Sequence, residues 1–151
     1  MTAKSIAIIG ECMVELSGQP FTAMQQNYGG DSMNTAIYLK KLAGNEVNVN
    51  YVSAMGTDPL SRALIEHTDF KKVLTSLAEV DAIYLSGISL AILAEQDCHT
   101  LLSHLALLKQ QGIKIIYDSN YRPALWSSKM HCHLANNKAY ALADLALVTF
   151  D

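Results

Sequence analysis

Two hydrophobic periods alternate along the chain. Residues 5–10 (SIAIIG) form a short apolar run closed by glycine, the pattern of a buried strand. Between 32 and 43 the apolar residues Met33, Ala36, Ile37, Leu39, Leu42 and Ala43 recur at helical spacing, and Gly44 supplies the stop. Residues 47–56 (VNVNYVSAMG) return to alternation and β-branching, which predicts a strand. Asp58-Pro59 then opens a second helix, with Asp58 as N-cap and Pro59 in the first helical position.

The later sequence repeats the scheme. Residues 82–87 (AIYLSG) read as a strand, 95–111 as an amphipathic helix stopped by Gly112, and 114–120 (KIIYDSN) as a strand turning polar at its end. Residues 127–142 predict a helix and 145–150 (LALVTF) a final strand. The sum is βαβαβαβαβ with short connections. It predicts an α/β fold: a Rossmann-like, three-layer α/β/α domain with a mostly parallel sheet. Region 58–80 leaves two readings, one long helix or two helices meeting near His67-Thr68-Asp69, where Thr68 and Asp69 are both N-cap candidates.

Composition narrows the class. A chain of 151 residues, 50% apolar and 17% charged, supports one compact domain. The net charge of −3 and the lack of a basic cluster argue against a nucleic-acid partner. No stretch reaches the length of a membrane span, and residues 6–9 run into Glu11 as a strand would, not a signal peptide. Cys12, Cys98 and Cys132 lie far apart, which argues against a disulfide framework or a zinc site and favours a reducing cytoplasm.

Chemistry is expected at the carboxyl ends of the strands, where helix N-termini and loops face a crevice. Those positions hold Gly10-Glu11, Ser86-Gly87, Asp118-Ser119-Asn120-Tyr121-Arg122 and Asp151. Residues 28–36 (YGGDSMNTA) belong to the same end. Gly29 and Gly30 would let backbone N–H groups approach a ligand, with a helix N-terminus behind them; the same residues also read as a tight turn with Asp31 or Ser32 as N-cap. Neither a Walker loop nor GxGxxG is present. Arg122 could grip a carboxylate or phosphate in bidentate fashion, or form a surface salt bridge. His131 and His133 flank Cys132 at a spacing that does not bring side chains together on a helix, so a metal site is not expected there. Trp126 reads as a packing aromatic.

These residues carry a resemblance. GGDSMNTAIYLKKLAG is similar to the sugar-binding motif of the ribokinase-like (PfkB) carbohydrate kinases, and GECMVELS and VSAMGTDPLS resemble the same family in order and spacing. YLSGISLAIL and DSNYRPALW resemble its 2-keto-3-deoxygluconate kinase branch, in which an Asn-Tyr-Arg segment presents an arginine to the sugar acid. ALVTFD resembles the strand and acidic turn near the nucleotide phosphates and magnesium.

The resemblance implies an ATP- and Mg2+-dependent kinase acting on 2-keto-3-deoxygluconate. It implies that Gly29, Gly30, Asp31 and Asn34 bind sugar hydroxyls, with Glu11 lining the same pocket. Arg122 would pair with the substrate carboxylate, supported by Asp118 and Asn120, and Asp151 would lie on the nucleotide side. The family's lid segment would be missing at a seam near 67–69. The C-terminal half, with the catalytic base, would lie beyond residue 151, so no catalytic residue is assigned within the chain. The family often pairs through the lid, which implies a homodimer as one arrangement. Two other readings fit the strand order: a non-catalytic Rossmann-like module that binds a sugar acid, and a receiver-type domain, which would want an acidic pair after the first strand that this chain lacks.

Overall fold

A computed structural model describes residues 4–67 and 77–149. Five strands, β1 (Lys4–Ile9), β4 (Val47–Val52), β5 (Ala82–Ser86), β6 (Lys114–Asp118) and β7 (Leu145–Leu147), form one sheet in the order β4-β1-β5-β6-β7, with every pairing parallel. Helices α1 (Asp31–Ala43), α2 (Pro59–His67), α3 (Gly87–Ala91), α4 (Glu95–Gln110) and α5 (Lys129–Leu142) connect them. The α/β reading from periodicity therefore holds, including the stop signals: Gly44 and Gly112 both follow helices with positive φ. Asp58 caps α2 as predicted, its Oδ1 accepting from the Leu60 and Ser61 N–H groups.

Three features were not in the pattern. An antiparallel hairpin, β2 (Met13–Ser17) and β3 (Gln25–Gly29), stands apart from the main sheet. The β3 segment, QQNYG, carries no apolar alternation, because almost all of both strands is exposed and no core face imposes a period. The short α3 begins directly at the end of β5, with the Ser86 hydroxyl accepting from the Ile88 N–H. Neither Asp31 nor Ser32 caps α1: the N-cap is Gly30, without a side-chain cap bond, and both residues lie inside the helix. The seam expected at 67–69 falls largely outside the described residues, as do Thr68, Asp69 and Asp151; α2 ends at His67 and the chain is next described in a 3-10 turn at Leu77–Glu79.

The core has two faces, set by strand alternation. On one, Ala7, Ile83, Leu85, Ile115 and Tyr117 meet Leu102 and Leu105 of α4 and Ala135 and Ala139 of α5. On the other, Ile6, Ile8 and Tyr84 pack under Ala36 of α1. Trp126 packs at the margin of the first face, edge-on to the buried His131 at 5.3 Å between ring centres. No helix among the described residues is long and apolar enough to cross a membrane.

Candidate active site

Strand order fixes where a crevice can form. From β1 the chain first adds β4 on one side and then, with β5, begins adding strands on the other, so the order of strand addition reverses between β1 and β5. The carboxyl ends of these strands carry Gly10-Glu11 and Ser86-Gly87, and the α1 N-terminus crosses above them.

The glycines here answer to close packing. Gly30 has φ 119° and ψ 151°, a region almost confined to glycine, and a Cβ on it would sit 2.9 Å from the Glu11 carbonyl oxygen. A Cβ on Gly29 would collide with the Glu15 carboxylate across the hairpin, and one on Gly10 with the Ser32 side chain. The Glu11 carbonyl is the hub of this corner. It accepts from the hydroxyls of Ser32 (3.0 Å) and Tyr51 (2.6 Å), tying β1, α1 and β4 together. Burial, with the Glu11 charge nearby, pushes the Tyr51 phenol up to about 12, so the donor stays protonated at ordinary pH.

Of the predicted residues, the structure brings two groups to the end of the sheet and joins them through a residue the sequence reading did not single out. Tyr84, on β5, donates from its hydroxyl to Asp118 Oδ2 at 3.1 Å. Burial raises its pKa, and the charges of Asp118 and Asp31 add to the rise. The phenol thus lies within the electrostatic reach of both carboxylates, one from the α1 N-terminus and one from the end of β6. Asp118 Oδ1 accepts from the Asn120 N–H (3.2 Å), and Asn120 is held at φ 29°. Asp31 Oδ2 is buried and has no hydrogen-bond partner among the described residues. Asn34 lies one turn along α1 with its side chain exposed. Arg122 is exposed and makes no ion pair among the described residues, where its Nη1 donates to the Tyr121 carbonyl, at 3.2 Å.

The Glu11 carboxylate turns toward α3. Its Oε2 accepts from Ser89 Oγ of α3 at 2.9 Å, Oε1 is buried without a partner among the described residues, and the side chain lines a groove of about 810 Å³ with Ile9, Val52 and Leu101. That groove lies on the α4 face of the sheet, whereas Tyr84 lies on the α1 face. Its backbone carbonyl, not its carboxylate, touches the glycine corner. A signal for Tyr84 was available in the register: it pairs with Ile116, so Asp118 is its diagonal neighbour on the same face, within reach of a phenol.

Sheet order, glycine corner and polar strand ends together define a ribokinase-like fold. Among solved structures the chain is similar to a PfkB family carbohydrate kinase from Listeria grayi (TM-score 0.77, 20% identity, 95% of this chain and 60% of that one). It is equally similar in fold to a 2-dehydro-3-deoxygluconokinase from Thermotoga maritima (TM-score 0.77, 17% identity, 96% and 59%). In sequence it is 38% identical over 198 residues to the 2-dehydro-3-deoxygluconokinase of Haemophilus influenzae, covering 98% of this chain and 63% of that protein. The protein of the same name from Dickeya dadantii is 34% identical, over 100% of this chain and 64% of its own length. No protein-family model matches. The chain is thus similar in sequence to proteins named 2-dehydro-3-deoxygluconokinase and shares the fold of PfkB carbohydrate kinases, and it spans a little under two thirds of the curated relatives it matches.

Proposed function

We propose that these 151 residues are the sugar-acid-binding part of an ATP-dependent kinase that phosphorylates 2-keto-3-deoxygluconate. The observation that carries the reading is the meeting of two groups at one end of the sheet. Helix α1 packs over Tyr84 through Ala36, the Asp118–Arg122 turn is tied to the Tyr84 hydroxyl, and Arg122 is left with its guanidinium facing solvent. A sugar acid needs both elements. Its hydroxyls want backbone donors and short polar side chains, here Gly29, Gly30, Asp31, Asn34 and Asn120; its carboxylate wants a planar cation, here Arg122. Asp118, with both oxygens engaged inside the protein, supports the turn, and Glu11 supports the corner through its carbonyl. Similarity over 98–100% of this chain to proteins named 2-dehydro-3-deoxygluconokinase supports the same substrate.

The nucleotide half of the reaction is a separate matter. Phosphoryl transfer needs metal-bound phosphates and a base near the attacking hydroxyl. Among the described residues no group of three or more His, Cys, Asp or Glu side chains could hold a metal ion, and Asp151 lies outside them. Magnesium in such sites is held by one or two carboxylates with the nucleotide phosphates, and the part assigned to the described residues is to bind and orient the sugar acid. The aligned stretch with the Haemophilus relative is 198 residues long against a chain of 151, so that relative carries internal residues with no counterpart here. This supports a missing internal segment, which we place near 67–69.

Calorimetric titration with 2-keto-3-deoxygluconate, followed by an ADP-release assay with ATP and Mg2+, tests the reading. Binding with ADP release supports the kinase; binding without it reduces the chain to a binding module. No binding refutes the assignment.

A further inference from the structure

Tyr84 packs beneath α1 and reaches the turn that carries Arg122 through its hydroxyl, almost without exposed surface of its own. Its ring is packed under Ala36 beside Ile6 and Ile8, and 5% of the residue is accessible. A phenol in that position has little freedom, so its hydroxyl points where packing sends it. That direction is toward Asp118 Oδ2.

The carboxylate is used on both sides. Oδ2 takes the Tyr84 hydroxyl and Oδ1 takes the Asn120 N–H, so Asp118 is a bridge between a rigid strand and the first residue of the turn. The turn needs such a bridge. Asn120 is buried at a positive φ that an isolated chain seldom adopts. On the other side the turn is pressed against Gly87, where any Cβ would strike the Ser119 carbonyl, and the Ser119 Oγ accepts from the Thr149 N–H. Arg122 follows two residues after Asn120, and among the described residues its guanidinium donates only to the neighbouring Tyr121 carbonyl. Its placement is inherited from the turn.

We propose that Tyr84 is a positioning residue for the anionic end of the ligand: by donating to Asp118 it holds the 118–122 turn in the form that presents Arg122, and so sets affinity for a sugar acid it does not touch. This rests on the sugar-acid reading above. A residue that only filled the core would act through its ring, which Tyr84→Phe keeps; a positioning residue acts through the hydroxyl, which Tyr84→Phe removes.

The test combines affinity with local protection. Dissociation constants for 2-keto-3-deoxygluconate are measured for the wild type, Tyr84→Phe, Arg122→Ala and the double variant, with amide hydrogen exchange at Asn120 followed in parallel. Loss of one net hydrogen bond predicts a roughly 3- to 10-fold weaker complex in Tyr84→Phe. It also predicts faster exchange at Asn120 and little further loss when Tyr84→Phe is added to Arg122→Ala. Asp118→Asn, which keeps the size of the side chain, should reproduce the faster exchange. Unchanged affinity in Tyr84→Phe beside a binding wild type overturns the proposal and leaves the sugar-acid reading standing. Full additivity with Arg122→Ala also overturns it, since Tyr84 would then act by another route. A wild type that does not bind the acid refutes the sugar-acid reading and the ligand half of this one. The exchange arm still decides the tether: unchanged protection at Asn120 overturns it.

Discussion

Replacing Gly30 by alanine should damage the corner on which the candidate site is built, and the structure gives the scale. At φ 119°, ψ 151° Gly30 occupies a region that costs an L-residue about 1–3 kcal/mol. The new methyl would also lie 2.9 Å from the Glu11 carbonyl oxygen, a backbone atom already fixed by Ser32 and Tyr51. Relief by a few tenths of an ångström would strain those two bonds, and overpacking of this kind typically adds about 1–3 kcal/mol. A total of roughly 2–6 kcal/mol follows. Gly44 is the internal control. It also has positive φ, 56° with ψ −116°, but nothing lies within 4 Å of its would-be Cβ, so Gly44→Ala should carry the backbone cost alone, about 1–3 kcal/mol. Urea unfolding followed by circular dichroism, with slopes compared to confirm a common unfolded state, measures both. Gly30→Ala as mild as Gly44→Ala would refute the idea that the carbonyl contact, and not φ alone, demands glycine.

Other consequences are open to measurement. Arg122→Ala should weaken binding of 2-keto-3-deoxygluconate by roughly 1.5–3 kcal/mol, on the order of 10- to 150-fold, with thermal stability unchanged; equal affinity by calorimetry would remove Arg122 from the site. Tyr51 titrates near 10.0 when unfolded and about 12 when folded, so its contribution is complete below pH 10 and is lost as pH rises from 10 to 12. Alkaline unfolding of Tyr51→Phe should be correspondingly flatter over that interval, and parallel curves would sink the assignment. Leu85→Ala removes a fully buried side chain from the centre of the α4–α5 face and should cost about 2–5 kcal/mol, whereas the exposed Leu16 should tolerate alanine within about 0.5 kcal/mol; similar losses at both sites in a denaturant series would contradict the core described.

The main sheet was legible because its strands are short and apolar, with caps and stops that obey local rules: Asp58-Pro59, Gly44 and Gly112 each mark an element end by their own chemistry. The hairpin was not legible, because β2 and β3 face solvent on most positions and nothing forces alternation on QQNYG. Gly30 displaced Asp31 and Ser32 as the cap of α1 for a tertiary reason, the Glu11 carbonyl pressed against it. The candidate site divided in the same way. Sequence placed Asp118, Asn120 and Arg122 on one turn, but only register revealed that Tyr84 reaches Asp118 from the next strand. Glu11 sat at the right strand end, yet the side chain turned to Ser89 because α3, unforeseen, begins there.

The strand order also has a bearing on how the polypeptide is made. Ribosomes release a chain from its N-terminus, and domains can begin to assemble during synthesis. Here β1 finds β4 first, giving a two-stranded unit roofed by α1 whose other border stays open until residue 82 and beyond have emerged. From then on β5, β6 and β7 are each laid against the outermost strand in the order in which they are translated. No strand has to be threaded between two already in place. The sheet can therefore grow outward by simple accretion at the pace of elongation, and a stalled nascent chain would carry a correctly ordered fragment instead of a mispaired one.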